Sequence, residues 1–276
     1  MRISVLATLL GLSLVGCAGN ITGGGGDDDD IPENCGNGAI DPGEDCDGGE
    51  GCSATCTSVG TPRLDLSVDK PTVATELGTT NMVTLSLTGG DGFTGSVNVA
   101  ASIVDGAGAP VTGWIVAVNP PTVTVPTTGA ATVVATVAVP SDAAMLAGNI
   151  KFDVTGGPEP KSITSSVTAM NQITFPIDVA GGVCVYPVDA TPIRIKTGTT
   201  VRFLNKNATN NFEIHSDNNA AIPHQGQGAG ADDPVTEPNT AYTKVLAGNA
   251  AEFGWYCHDR GPNNAMTNPR IEVVPL

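Results

Sequence analysis

The stretch Phe253-Gly254-Trp255-Tyr256-Cys257 alternates large apolar residues with others near the C-terminus. Alternation with a period of two predicts a β-strand that is buried on one side. Since successive side chains of a strand point to opposite faces, Phe253, Trp255 and Cys257 are predicted to face the core together. Two shorter stretches with the same pattern precede it, Val201-Arg202-Phe203-Leu204-Asn205 and Phe212-Glu213-Ile214-His215, and the second ends in an imidazole.

Four potential metal ligands lie on or near these strands: His215, Cys257, His258 and Met266. An early His followed by Cys, His and Met near the C-terminus resembles the cupredoxins, the blue-copper fold. The resemblance covers residues 181–276 and implies a Greek-key β-sandwich that binds one copper ion. Imidazole and thiolate with a weak axial thioether suit copper that cycles between two oxidation states, so the implied role is electron transfer or copper carriage with a redox partner protein.

The position of the second imidazole departs from the family pattern. Cupredoxins place it a few residues after the Cys, where this chain has Arg260, whereas His258 follows Cys257 directly. Because neighbours on a regular strand point to opposite faces, His258 is predicted to bind copper only if the chain leaves strand geometry right after Cys257. His224, in the long loop before this strand, is the substitute ligand.

Residues 61–177 contain seven short alternating stretches separated by Gly, Pro and Asn, a pattern that predicts a β-sandwich. The segments Gly92-Phe93-Thr94-Gly95-Ser96-Val97 and Val139-Pro140-Ser141-Asp142-Ala143 resemble parts of bacterial immunoglobulin-like domains. This region has neither Cys nor His, so its predicted role is that of a spacer or binding scaffold.

Residues 34–57 contain Cys-Gly-Asn-Gly, Gly-Glu-Asp-Cys-Asp and Gly-Cys-Ser-Ala-Thr-Cys in succession. They resemble the cysteine-rich repeat of myxobacterial surface proteins. A segment of this length has too little core to fold without cross-links. Two disulfides are therefore predicted among its four cysteines, Cys35, Cys46, Cys52 and Cys56. Their pairing is left open. Four acidic residues of the segment could bind Ca²⁺ through oxygen: Asp41, Glu44, Asp45 and Asp47. The favoured interpretation is that they form a solvated acidic surface.

The N-terminus has the layout of a secretory leader. Arg2 precedes an apolar run at 3–15 that is too short to span a membrane as a helix. Leu14-Val15-Gly16-Cys17 resembles the bacterial lipobox, which implies a signal peptide at 1–16, acylation of Cys17 and a lipid anchor in the cell envelope. Ala18, rather than Asp, after the Cys favours the outer membrane. An ordinary signal peptide with an incidental Cys is the alternative.

Residues 17–33 are predicted to form a flexible linker. Four glycines and then four aspartates follow one another at 23–30, and neither group can bury apolar surface. Ten of the 28 acidic residues lie between Asp27 and Glu50, and the net charge of the chain is −16. This charge argues against nucleic acid and against electrostatic binding to anionic lipid.

With Cys17 acylated, six cysteines are left, and an even number permits three disulfides. A bridge between Cys184 and Cys257 would consume the thiolate that copper needs. Under this alternative the protein is a structural or adhesive surface lipoprotein with a metal-free cupredoxin fold. Neither hypothesis is enzymatic, since no Gly-x-Ser-x-Gly or His-Glu-x-x-His motif occurs, and three histidines are too few for a multicopper oxidase.

Overall fold

A computed structural model describes residues 35–48, 52–58, 60–186, 191–217, 222–223, 225, 235–247, 252–258 and 269–275, and only the backbone of His258. The predicted signal peptide at 1–16, Cys17, the linker at 17–33, His224 and Met266 lie outside these residues. Every regular element in the described ranges is a β-strand, so the all-β prediction is confirmed. The chain divides into two compact units, Met1–Val59 and Gly60–Leu276. The described residues contain no helix long and apolar enough to span a membrane.

The first part of the larger unit is a nine-stranded, immunoglobulin-like sandwich within residues 63–170. Its two sheets have the orders β1-β3-β7-β5 and β2-β9-β8-β4-β6. Apolar residues on alternate positions meet between the sheets, as with Val83, Leu85 and Leu87 on β3, all fully buried. The strands are β1 Arg63–Val68, β2 Thr72–Glu76, β3 Thr80–Gly90, β4 Gly95–Val104, β5 Ile115–Asn119, β6 Thr122–Val125, β7 Ala130–Ala138, β8 Ala147–Thr155 and β9 Lys161–Met170.

Eight further strands form a second sandwich with two four-stranded sheets, ordered β11-β10-β13-β15 and β12-β17-β16-β14. Most neighbours are antiparallel, but β10 pairs parallel with β13 and β12 pairs parallel with β17. The strands are β10 Gln172–Ala180, β11 Val183–Val185, β12 Ile193–Lys196, β13 Thr200–Asn205, β14 Glu213–Ser216, β15 Ala241–Val245, β16 Phe253–His258 and β17 Arg270–Val274.

The domain boundary predicted from the sequence falls after residue 177, whereas β10 as a whole belongs to a sheet of the second sandwich. Ile173, Phe175 and Ile177 on β10 are buried, and the Phe175 ring stacks on Phe203 of β13 at 5.6 Å between centroids. Alternation alone could not make this assignment, because a strand with one apolar face fits either sandwich. The boundary therefore falls at Asn171, the one residue between β9 and β10.

Asn171 follows the last strand of the first sandwich and is hydrogen-bonded to residues of the second sandwich. Its Nδ2 donates to the Gly198 carbonyl at 3.1 Å, and its Oδ1 accepts from the Thr199 hydroxyl at 3.0 Å. Gln172 Nε2 also donates to the Glu76 carboxylate at 2.7 Å. Both the linking residue and its neighbour are thus held by hydrogen bonds, and the two sandwiches lie within one compact unit, Gly60–Leu276.

The predicted inward face of β16 is present: Phe253, Trp255 and Cys257 are 3%, 0% and 1% exposed. Trp255 lies at the centre of the aromatic core. Its ring centroid is 4.8 Å from that of Phe203 and 5.3 Å from that of Phe175. The stretch that alternates most clearly in the sequence thus supplies the central side chain of the second sandwich.

Candidate functional site

Cys257 is bonded to Cys184, with the two Cα atoms 6.3 Å apart. Cys184 lies on β11 in one sheet and Cys257 on β16 in the other, so the disulfide cross-links the two layers of the second sandwich. Both residues are buried. In this structure the sulfur predicted to bind copper is therefore part of the core cross-link, and it offers no thiolate.

His215 lies on the opposite face of the same strand pair. In the antiparallel register of β14 and β16, Ile214 stands across from Cys257 and His215 across from Tyr256. His215 Nδ1 is 3.2 Å from the Tyr256 hydroxyl oxygen, and its Nε2 is 3.7 Å from Glu213 Oε1. Because opposite residues of an antiparallel pair share a face, His215 belongs with Tyr256, whereas Cys257 belongs with the core.

The structure consequently does not bring His215 and Cys257 together as ligands of one copper ion. The condition for copper binding by His258, that the chain leaves strand geometry right after Cys257, is not met, since β16 continues to His258, whose backbone pairs with Glu213. The remaining predicted ligands, Met266 and His224, are outside the described residues. Glu213 was not predicted from the sequence, although it lies two residues before His215 in an alternating stretch, a spacing that places both residues on one face.

The module within 35–58 contains the two predicted disulfides. They join Cys35 to Cys56 and Cys46 to Cys52, with Cα separations of 5.6 and 5.7 Å. The pairing could not be deduced from sequence. Every cysteine that the structure describes is therefore bonded to another cysteine.

The acidic residues of the module stabilise its turns. The Asp47 carboxylate accepts hydrogen bonds from the backbone N–H groups of Gly36, Asn37 and Gly38 at 2.7, 2.9 and 2.5 Å. Gly36 and Gly38 have φ angles of 91° and 95°, a region that favours glycine. The Cys-Gly-Asn-Gly and Cys-Asp motifs thus form one structural unit, in which the carboxylate caps the glycine turn.

Two more candidate Ca²⁺ ligands are also used within the module. Glu44 Oε2 accepts from the Asp41 N–H, and Asp41 Oδ2 accepts from the Asn37 amide, both at 2.9 Å. Among described residues, Glu44, Asp47 and Cys56 are the one group of three potential ligands close enough to share a metal ion. The Cys56 sulfur is in a disulfide, so this group favours a structural role.

Replacing Asp47 with Ala should loosen the module, because three backbone donors lose a charged acceptor. We expect local opening to become easier by about 3 kcal/mol. The measurement is the rate at which dithiothreitol reduces the Cys46–Cys52 bridge under native conditions, which should rise roughly a hundredfold. Asp45→Ala, at an exposed carboxylate two residues earlier, is the control. Equal rates in the two variants would show that the Asp47 cap contributes nothing.

No protein-family model matches the chain, and no curated protein matches it. Among solved structures, it is similar to a family 123 glycoside hydrolase from Clostridium perfringens (9% identity, TM-score 0.33, 43% of this chain and 30% of that one). It is also similar to domains 4 and 5 of the S-layer protein SbsC (21%, 0.25, 40% and 47%) and to the E. coli chaperone DraB (11%, 0.27, 77% and 97%). The chain thus spans less than half the length of the first two. At these TM-scores the similarities carry no argument about function.

Proposed function

We propose that this protein is a structural or adhesive component of a bacterial cell envelope, anchored by lipid at Cys17, whose cupredoxin-like domain is a disulfide-locked scaffold. The Cys184–Cys257 bridge is the observation that carries this proposal. A blue-copper centre needs a thiolate at Cys257, and the bridge occupies that sulfur. Copper at this position would first require reduction of the disulfide.

Strand topology supports the cupredoxin-like description of the second sandwich. Two four-stranded sheets, each with one parallel pair of strands that are distant in sequence, exclude a simple meander, as the cupredoxin resemblance requires. His215 and Cys257 lie on adjacent strands, β14 and β16, as the family resemblance implies. The second sandwich therefore resembles the cupredoxins in its fold, whereas Cys257 forms a cross-link in place of a bond to a metal ion.

The disulfides support an envelope location. Three bridges join the six cysteines of the described residues, and such bridges persist in oxidising compartments outside the cytosol. The lipobox resemblance at Cys17 supplies the proposed anchor, and the linker at 17–33 would hold the two folded units away from the membrane surface.

The scaffold proposal predicts that Cu(II) added to protein purified without reductant produces no strong visible thiolate-to-copper absorption. The physical reason is that a disulfide sulfur has no thiolate charge to donate to the metal. An absorption spectrum during a stoichiometric titration makes the measurement, with a known blue-copper protein as the positive control. An intense visible band at one equivalent of copper would support the electron carrier and refute the scaffold.

A further inference from the structure

A cavity lies where the two sandwiches meet, within the compact unit Gly60–Leu276. Its volume is about 380 Å³, which falls in the range of roughly 300–1,000 Å³ that small-molecule sites occupy. The first sandwich contributes residues 77–79, between β2 and β3, and Ser141. The second sandwich contributes residues 173–176 of β10 and Ile193, the first residue of β12. Ligand sites occur preferentially at such junctions between domains.

The wall that β10 forms is an open sheet edge. Residues 172–177 of this strand pair with β13 on one side, whereas β11 pairs only with its last three residues. The Ile177 carbonyl accepts the N–H of the residue just after β13, but the Gln172 carbonyl accepts the Leu77 N–H of the first sandwich at 3.0 Å. Since successive residues of a strand direct their backbone groups to opposite edges, Thr174 directs its N–H to the same open edge as Gln172.

The Thr174 side chain provides a second hydrogen-bonding group at the cavity. Its Oγ1 is buried and has no hydrogen-bond partner among the described residues. A buried hydroxyl without a partner destabilises the folded state, and a ligand oxygen can supply that partner. The hydroxyl of the other threonine in the lining, Thr79, is already used, since it lies 2.6 Å from Thr75 Oγ1 and donates to the Glu76 carbonyl at 2.7 Å.

The rest of the lining favours an uncharged, largely apolar ligand. Leu77, Ile173 and Phe175 are buried, and none of the described residues that line the cavity carries a charge. Arg194 and Asp142, which follow lining residues in the sequence, pair with each other across the junction at 3.8 Å. A charged ligand would lose its hydration here without gaining an opposite charge.

We propose that this cavity binds a small, neutral and mostly apolar molecule with one carbonyl group, whose oxygen accepts hydrogen bonds from the N–H and the hydroxyl of Thr174. Leu77 and β11 occupy the two ends of the open edge, so the edge suits a small molecule better than an added peptide strand. The site depends neither on the lipid anchor nor on the Cys184–Cys257 bridge, and it goes beyond the proposed scaffold function.

Titration of the purified, disulfide-bonded protein with 1-indanone, followed by proton–nitrogen correlation NMR, tests the proposal. Indane is the matched probe, because it has the same ring system without the carbonyl. We expect saturable shifts with a dissociation constant of roughly 1 mM or below, centred on the amides of lining residues such as Gly78, Ser141 and Thr174. Indane should shift the same amides and bind about fivefold more weakly, as expected for a lost hydrogen bond.

Two pairs of variants separate the carbonyl contact from the cavity itself. Thr174→Val removes the hydroxyl with little change in volume, so it should weaken 1-indanone about fivefold and leave indane unchanged. Thr243→Val, at an exposed threonine of β15, is its control and should affect neither probe. Ser141→Phe should fill the cavity and abolish binding of both probes, whereas Ser141→Ala should retain it.

The shifts of the wild-type protein locate the probe without any variant, so poor folding of a variant cannot obscure the result. Three outcomes would overturn the proposal: no saturable shifts or shifts centred away from the lining residues, equal weakening of both probes by Thr174→Val, or unchanged binding to the Ser141→Phe variant.

Discussion

Replacing Cys184 and Cys257 together with alanine should lower the free energy of unfolding of the second sandwich by about 4 kcal/mol. The bridge spans 73 residues in sequence, so its removal restores much conformational freedom to the unfolded chain. It also frees β11, an edge strand of three residues, from its cross-link to the other sheet. Urea unfolding followed by fluorescence and circular dichroism gives the difference in free energy from the shift in midpoint.

The matched control for this experiment removes Cys46 and Cys52, which are six residues apart in the small module. Closing this shorter loop costs less chain entropy than closing the 73-residue loop, and the bridge lies in the other compact unit. The unfolding midpoint of the sandwiches should therefore stay at its wild-type value. If the Cys184/Cys257 variant instead unfolded within 1 kcal/mol of wild type, roughly the error of such extrapolations, the bridge would not be a major support of the fold.

Trp255→Ala should cost about 4 kcal/mol of unfolding free energy, within the range measured for truncating a buried tryptophan. The side chain is fully buried, and the rings of Phe175, Phe203 and Tyr186 surround it at 5.3, 4.8 and 5.0 Å between centroids. These rigid rings cannot collapse into the space that the indole leaves. Urea unfolding monitored by circular dichroism measures the loss.

Met82→Ala is a suitable control for Trp255→Ala, because it also truncates a large apolar side chain but one that is 59% exposed. Its effect should stay within about 0.5 kcal/mol, as for most surface substitutions. Similar losses in both variants would mean that the aromatic cluster is not the energetic centre of the second sandwich.

The sequence predicted the inner face of β16 because strand periodicity is a local property. Phe253, Trp255 and Cys257 share one face whatever the partner strand is, and the structure buries all three. The assignment of β10 depended instead on which sheet the strand joins. That choice is made by distant partners such as Phe203, so no pattern within residues 172–180 could reveal it.

The relation between His215 and Cys257 also depends on distant pairing. Each residue lies on a strand that the sequence predicted, but the register between β14 and β16 decides whether they share a face. A slip of one residue exchanges the two faces of a strand, and the actual register pairs Cys257 with Ile214. The sequence therefore showed which side chains could bind a metal ion, but it did not show whether His215 and Cys257 lie on the same face. The even number of cysteines did indicate the Cys184–Cys257 bridge as an alternative.

The structural role of the acidic residues in the module could not be predicted from the sequence, for a different reason. Asp47 caps the backbone of Gly36, Asn37 and Gly38, and a carboxylate bound to backbone N–H groups has the same sequence signature as one exposed to solvent. The two glycines of Cys-Gly-Asn-Gly, Gly36 and Gly38, were the available signal, since their positive φ angles aim successive N–H groups at one acceptor.

In the proposed lipid-anchored scaffold, Cys257 forms a disulfide with Cys184 and is not a thiolate. The most direct test is peptide mass mapping, without reduction, of protein extracted with detergent from the membrane fraction of cells. The account predicts a linked peptide pair containing Cys184 and Cys257 together with an acylated peptide at Cys17. Recovery of Cys257 as a free, alkylatable thiol in freshly extracted protein would contradict it.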